Sequence, residues 1–159
     1  MSAATDSLTD APFGIEYLQR RLDGEFPLAR HIGIEVHSAG DERLVLCAPF
    51  EPNANHNGTA FGGSQFSIAV LTGWAWATRY LAARQVTADA VIQESTIRYL
   101  APARGPLRAV LQAPLPEVVE KLRRMLRRAG RGRIRLNVDV HDGAQLVTQF
   151  HGVFAVSIR

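Results

Sequence analysis

After Glu51 the next acidic residue is Asp89, and within that gap residues 63–84 read as one long helix with almost no polar face. Phe66, Ile68, Val70, Leu71, Trp74, Trp76, Tyr80 and Leu81 run round the whole cylinder rather than down one stripe, and such a helix has to be enclosed. The enclosure must come largely from the same chain, because 159 residues suffice for one proper core and not for two comfortable domains. Residues 60–78 carry no charge, which approaches the length of a membrane span. Their opening Gly62-Gly63-Ser64-Gln65 is polar, however, and the dense apolar part runs only from about Phe66 to Ala77. A helix buried in a soluble fold is therefore expected, with no membrane span.

The remaining segments supply the wrapping. Phe13, Tyr17, Leu18 and Leu22 repeat at helical spacing, and Asp23-Gly24 followed by Pro27 marks the end of a short helix. Residues 32–37 and 43–49 read as paired strands across a turn at Gly40-Asp41. Residues 90–100, 106–113, 132–141 and 144–158 all have strand character. The last pair is clearest: Ile134, Leu136, Val138 and Val140 alternate with Arg135, Asn137, Asp139 and His141, and Asp142-Gly143 is a hairpin turn signal. A helix over 116–129 interrupts the strands. Two strands, one buried helix and four more strands in hairpin-like succession predict an α+β domain, an antiparallel curved sheet wrapped around the helix. Residues 1–11 are small and polar and are expected to form a poorly ordered tail, leaving 12–159 as a single domain.

The loop entering the helix, Asn53-Ala54-Asn55-His56-Asn57-Gly58-Thr59-Ala60-Phe61-Gly62-Gly63-Ser64, has the makings of a ligand site. Backbone N–H groups in the first turn of a helix lack intrahelical partners and sit at the positive end of its dipole, and glycines there let a carbonyl or an anion approach closely. Asn, Gly and Ser are also ordinary loop and cap residues, so both readings stand on the loop alone.

Other features bound the function. Asp6 and Asp10 near the start, with no basic cluster leading an apolar run, argue against a secretory signal and for the cytoplasm. Cys47 is the single cysteine, so no intrachain disulfide is possible, and within Leu44-Val45-Leu46-Cys47 it reads as a small buried hydrophobe. His31, His37, His141 and His151 are scattered without metal-ligand spacing, and neither metal nor cofactor is expected. Seven arginines fall between positions 123 and 135. They can be the solvated face of an amphipathic helix whose apolar stripe is Val118, Val119, Leu122, Met125 and Leu126, a nucleic-acid surface, or a contact for the phosphates of a nucleotide-bearing ligand. No base-stacking aromatics interleave with them, which disfavours nucleic acid.

Three stretches resemble the hotdog-fold thioesterases, specifically those of the YiiD C-terminal type: Pro27-Leu28-Ala29-Arg30-His31-Ile32-Gly33-Ile34 entering the first strand, the glycine loop, and Ile97-Arg98-Tyr99-Leu100-Ala101-Pro102-Ala103 ending a strand. The resemblance covers nearly the whole domain. It implies a homodimer, or two such dimers paired into a dimer of dimers, in which two sheets join edge to edge and acyl-CoA or acyl-carrier-protein thioesters bind at the subunit interface. It also implies that the N–H of Gly63, the second glycine of a His-Gly-Gly element, polarises the thioester carbonyl, and that a carboxylate farther along the helix activates water or attacks. Here the element is Phe61-Gly62-Gly63, and Val70 and Thr72 stand where the carboxylate belongs.

Hydrolysis then needs another group to aim or deprotonate water. His56, with an imidazole suited to neutral pH, and Glu94 in the polar run Gln93-Glu94-Ser95-Thr96 are the candidate bases. Asn55, or Asn53, is a candidate for orienting water. Gly62, Ser64, Gln65 and Thr72 are candidate substrate contacts. The expected activity is hydrolysis of acyl-CoA or acyl-carrier-protein thioesters. The acid-free helix keeps open an acyl-thioester-binding module with little hydrolysis, and a dehydratase is disfavoured for want of the same acid.

Overall fold

The computed structural model describes residues 12–159, so the expected N-terminal tail lies outside the described residues. Helix α1 (Ile15–Glu25) is followed by a short helix α2 (Pro27–His31), then β1 (Glu35–Ala39), β2 (Arg43–Ala48), a 3-10 turn (Glu51–Asn53) and the long helix α3 (Gly62–Ala82). Strands β3 (Ala88–Tyr99) and β4 (Leu107–Gln112), helix α4 (Pro116–Ala129), and strands β5 (Arg131–Asp142) and β6 (Gln145–Ile158) complete the chain. The first strand starts later than the alternation predicts, because Pro27 at the first position of α2 turns the preceding segment into a helix.

All six strands form one antiparallel sheet in the order β1-β2-β4-β5-β6-β3, and α3 packs against β2, β3, β4, β5 and β6. One helix touching five strands is the hotdog arrangement, with the sheet curled around the helix. Hairpin succession holds from β5 to β6 but fails between β3 and β4. The chain leaves α3 at the far edge, lays down β3 beside β6, and returns to place β4 against β2. β3 is consequently a twelve-residue edge strand paired on one side only.

Burial follows the pleat. Ile134, Leu136, Val138 and Val140 on β5 and Phe150, Phe154 and Val156 on β6 turn inward against α3, each at most 2% exposed. Gly73 of α3 lies so close to β6 that an added Cβ would stand 2.5 Å from the Phe154 ring. Helix α4 also covers the inner face: its Leu122 and Met125 reach the place where a Cβ on Gly132, an inward position of β5, would stand.

The arginine cluster is thereby divided. Arg123, Arg124, Arg127 and Arg128 occupy the exposed face of α4, with Glu120 bridging Arg123 and Arg127, whereas Arg131, Arg133 and Arg135 project from the opposite face of the sheet, across from Ser157, Ala155 and Val153. The two groups form no continuous basic surface. Cys47 is likewise not a core residue. It is half-buried and faces outward with Arg108, its partner in the ladder, and burial pushes its thiol pKa up. Among the described residues no helix is long and apolar enough to cross a membrane.

The β1–β2 turn latches the far end of α3. The Asp41 carbonyl accepts the Trp76 indole N–H at 2.9 Å, and its carboxylate accepts from Arg79 and from Arg84, the latter at 2.9 Å. Partial burial raises the Asp41 carboxyl pKa, but the hydrogen bonds from Arg84 and Arg79 outweigh it and hold the group below its ordinary 3.8. A carboxyl depressed in the folded state adds stability above its unfolded pKa and loses it as pH falls through the folded value. Asp41→Asn is therefore expected to lower the thermal midpoint at pH 7 by roughly 1–3 °C, as suits a partly exposed network. The difference from wild type should vanish in scans below the ordinary carboxylate range.

Candidate active site

The glycine loop is held by hydrogen bonds that begin at its base. Asn53 is buried and its amide donates to the carbonyls of Ile32 and Pro49 at 2.8 and 2.7 Å, while its own backbone carbonyl accepts the Phe61 N–H at 2.7 Å. Ala54 and Ala60 form an isolated bridge that closes the neck. Within the loop the Asn55 side-chain oxygen accepts from the N–H of Asn57 and from both the N–H and the hydroxyl of Thr59, at 2.9 to 3.2 Å. Asn55 thus staples the turn, and the oxygen expected to aim water is already engaged. His56 stands exposed at the tip, with no hydrogen-bond partner among the described residues.

The loop delivers the chain into α3 with bare amides. The N–H groups of Ser64 and Gln65 both reach the Phe61 carbonyl, at 3.0 and 3.1 Å, whereas those of Gly62 and Gly63 meet no acceptor among the described residues. These are the orphan donors of a helix start, at its positive end. Phe61 takes the place of a capping side chain and makes no cap bond. Its ring lies over Gly63, where an added Cβ would come within 2.4 Å of it.

A shallow groove of about 410 Å³ opens beside these amides, with Gly62, Gln65, Tyr99, Leu100 and Pro102 in its walls. The Tyr99 hydroxyl donates to the Gly62 carbonyl at 2.9 Å. Nothing in the sequence marks this contact, which joins residues 37 positions apart. A larger depression of about 560 Å³ lies between β2, β4 and β5, lined by Arg43, Arg108, Asp139 and His141. It contains none of the loop residues, and its wall includes Leu115 and Val118 at the start of α4.

The other candidates separate on geometry. Gln65 is buried and spans the loop and the sheet: its amide nitrogen donates to the Ala60 carbonyl at 3.1 Å and its oxygen accepts the Thr148 hydroxyl. Both ends are thus committed to structure. Thr72 has no exposed surface and donates to the Ile68 carbonyl at 2.7 Å, a back-bond inside the helix. Ser64 is buried in the first turn, one residue past the bare amides. Trp74 and Trp76 lie about 18 and 21 Å along the axis from Gly62, whereas Phe66, half-buried against Phe150, is one turn away.

Glu94 is displaced by a bulge. The β3–β6 register shifts between Ile92 and Glu94, so that Ala90 and Ile92 face inward opposite Val156 and Phe154, and beyond the shift Ser95, Ile97 and Tyr99 face inward opposite Gly152, Phe150 and Thr148. Glu94, opposite Val153, then faces outward with Thr96 and Arg98, since residues directly opposed in a ladder share a face. Within one subunit its carboxylate is on the wrong side of the sheet to serve Gly63. Among the described residues no cluster of three His, Cys, Asp or Glu is placed to hold a metal.

A family model described as "Putative thioesterase (yiiD_Cterm)" matches residues 15–158. A protein of unknown function from Chlorobaculum tepidum superposes with a TM-score of 0.87 at 27% identity, covering 91% of this chain and 94% of its own. A putative thioesterase from Shewanella oneidensis superposes at 0.81 and 28% identity, with 91% and 97% covered. A thioesterase from Haemophilus influenzae, at 17% identity and a TM-score of 0.74 over 95% of both chains, shares the fold.

Proposed function

The chain belongs to the family described as putative thioesterase (yiiD_Cterm), and from that membership we propose that it hydrolyses acyl-CoA or acyl-carrier-protein thioesters in the cytoplasm, at a site completed by a second copy of the chain. The observation that carries this reading is the pair of unpartnered N–H groups at Gly62 and Gly63 at a helix start, with Gly62 in the wall of an open groove. A thioester carbonyl bound there gains a donor for the charge that develops on its oxygen, and such a donor is worth about 10²–10³ in rate.

In the proposed reaction water adds to the thioester carbonyl carbon while the His56 imidazole takes its proton, and the Gly63 N–H holds the resulting oxyanion. The oxyanion collapses, the C–S bond breaks, and the leaving thiolate takes the proton from His56, giving a carboxylic acid and a free thiol. His56 is preferred over Glu94 because it is borne on the loop that presents the glycines, while Glu94 is turned to the outer face. Support for the dimer comes from β3, a long edge with one row of backbone groups unpaired and with Val91 61% and Tyr99 52% exposed.

The assay is release of free thiol from a panel of acyl-CoAs, with light scattering for the particle mass. Turnover that is lost in His56→Ala, by a particle of twice the chain mass, is expected. Absence of turnover at every chain length would overturn the reading. The acid-free α3 favours the second reading, a module that binds acyl thioesters and cleaves them poorly; saturable binding of acyl-CoA without its consumption would establish that instead.

A further inference from the structure

The Gly62 carbonyl and the Gly63 N–H are the two ends of one peptide group. The Gly62 oxygen accepts the Tyr99 hydroxyl at 2.9 Å, and the Gly63 N–H meets no acceptor among the described residues. A carbonyl oxygen has two lone pairs, so the bond from Tyr99 is compatible with the helical bond that begins α3. A donor on the carbonyl has two effects on the other end. It holds the peptide plane, and so the direction of the N–H, and it draws electron density toward oxygen, which makes the amide proton a stronger donor.

We propose that Tyr99 is a positioning residue that sets the direction and donor strength of the Gly63 amide. The proposal rests on the hydrolytic reading above and extends it to a residue that reading does not use. The contact is built closely on both sides. An added Cβ on Gly62 would stand 3.2 Å from the Tyr99 Cζ and hydroxyl, so a side chain at 62 would press on the phenol where it reaches the backbone. Tyr99 ends an edge strand and lines the groove, where a phenylalanine ring would fill the same space; the hydroxyl is what joins β3 to the helix start. Partial burial raises the phenol pKa, so the group remains a proton donor across the neutral range.

Tyr99→Phe in the full chain tests this by two measurements, steady-state thiol release and the Gly63 amide proton in a ligand-free 1H–15N spectrum. The expected result is a kcat lowered about two- to eightfold, as follows when an oxyanion donor worth about 10²–10³ in rate is weakened by roughly 10–30%, with KM within about twofold. The Gly63 amide proton should move upfield while resonances remote from the groove stay in place. An unmoved Gly63 resonance, an unchanged kcat, or a fall in kcat with shifts throughout the spectrum would each overturn the proposal. Should the wild-type protein release no thiol from any acyl-CoA, the hydrolytic reading fails by itself, and the Gly63 resonance still decides whether Tyr99 controls this peptide.

Discussion

Gly63→Ala is expected to lower kcat for thiol release by about 10²- to 10³-fold, the effect of losing one oxyanion donor, while the thermal midpoint stays within a few degrees of wild type. The Cβ would stand 2.4 Å from the Phe61 Cε1 and 3.0 Å from its Cδ1 and Cζ. Phe61 is 57% exposed, so its ring is free to swing outward, and the fold loses little. Alanine in place of glycine also gains up to about 1 kcal/mol of helix propensity. Catalysis has no such escape. The new methyl narrows the approach to the amide, and a carbonyl held off by even an ångström no longer makes the bond. Thiol-release kinetics and a thermal scan on the same sample separate the two effects. An unchanged kcat would remove Gly63 from the mechanism.

Gly73→Ala is expected to do the opposite, destabilising the protein by about 1–3 kcal/mol through overpacking. In an exposed helix the same change stabilises by about 1 kcal/mol, so the sign itself is the test. The reason is the neighbour. The added Cβ meets the Phe154 Cζ at 2.5 Å and Cε2 at 2.7 Å, and Phe154 has no exposed surface into which to retreat. Gly24, near the end of α1, supplies the control: a Cβ added there meets nothing within 4 Å, and Gly24→Ala should hold or raise stability. Urea unfolding of both variants measures the contrast. Gly73→Ala combined with Phe154→Leu should recover part of the loss, because the two residues share one space. A stabilised Gly73→Ala would mean that helix and sheet are not in contact there.

Much of what depends on neighbours along the chain was legible in the residues alone, though not the short helix begun by Pro27 or the Asn55 bonds within its own loop. The all-round apolar character of α3 required a wrapped helix, the alternation from Ile134 to Val140 assigned the two faces of β5, and the stripe Val118, Val119, Leu122, Met125 and Leu126 placed α4 at its observed bounds. The glycines at the helix start and the missing helix carboxylate were legible in the same way, since each is a matter of residue type at a known spacing. Folding in three dimensions was needed to settle which strand lies beside which, because β3 chooses β6 and β4 chooses β2 through contacts that cross long stretches of chain. The same packing turned Glu94 outward, since one unpaired residue in a ladder reverses the face of those after it. It also committed Gln65 to Thr148, 83 positions away, and brought Tyr99 onto the Gly62 carbonyl. A polar side chain advertises its capacity to bond, but its partner is fixed only when the core has packed and brought distant segments within about 3 Å of one another.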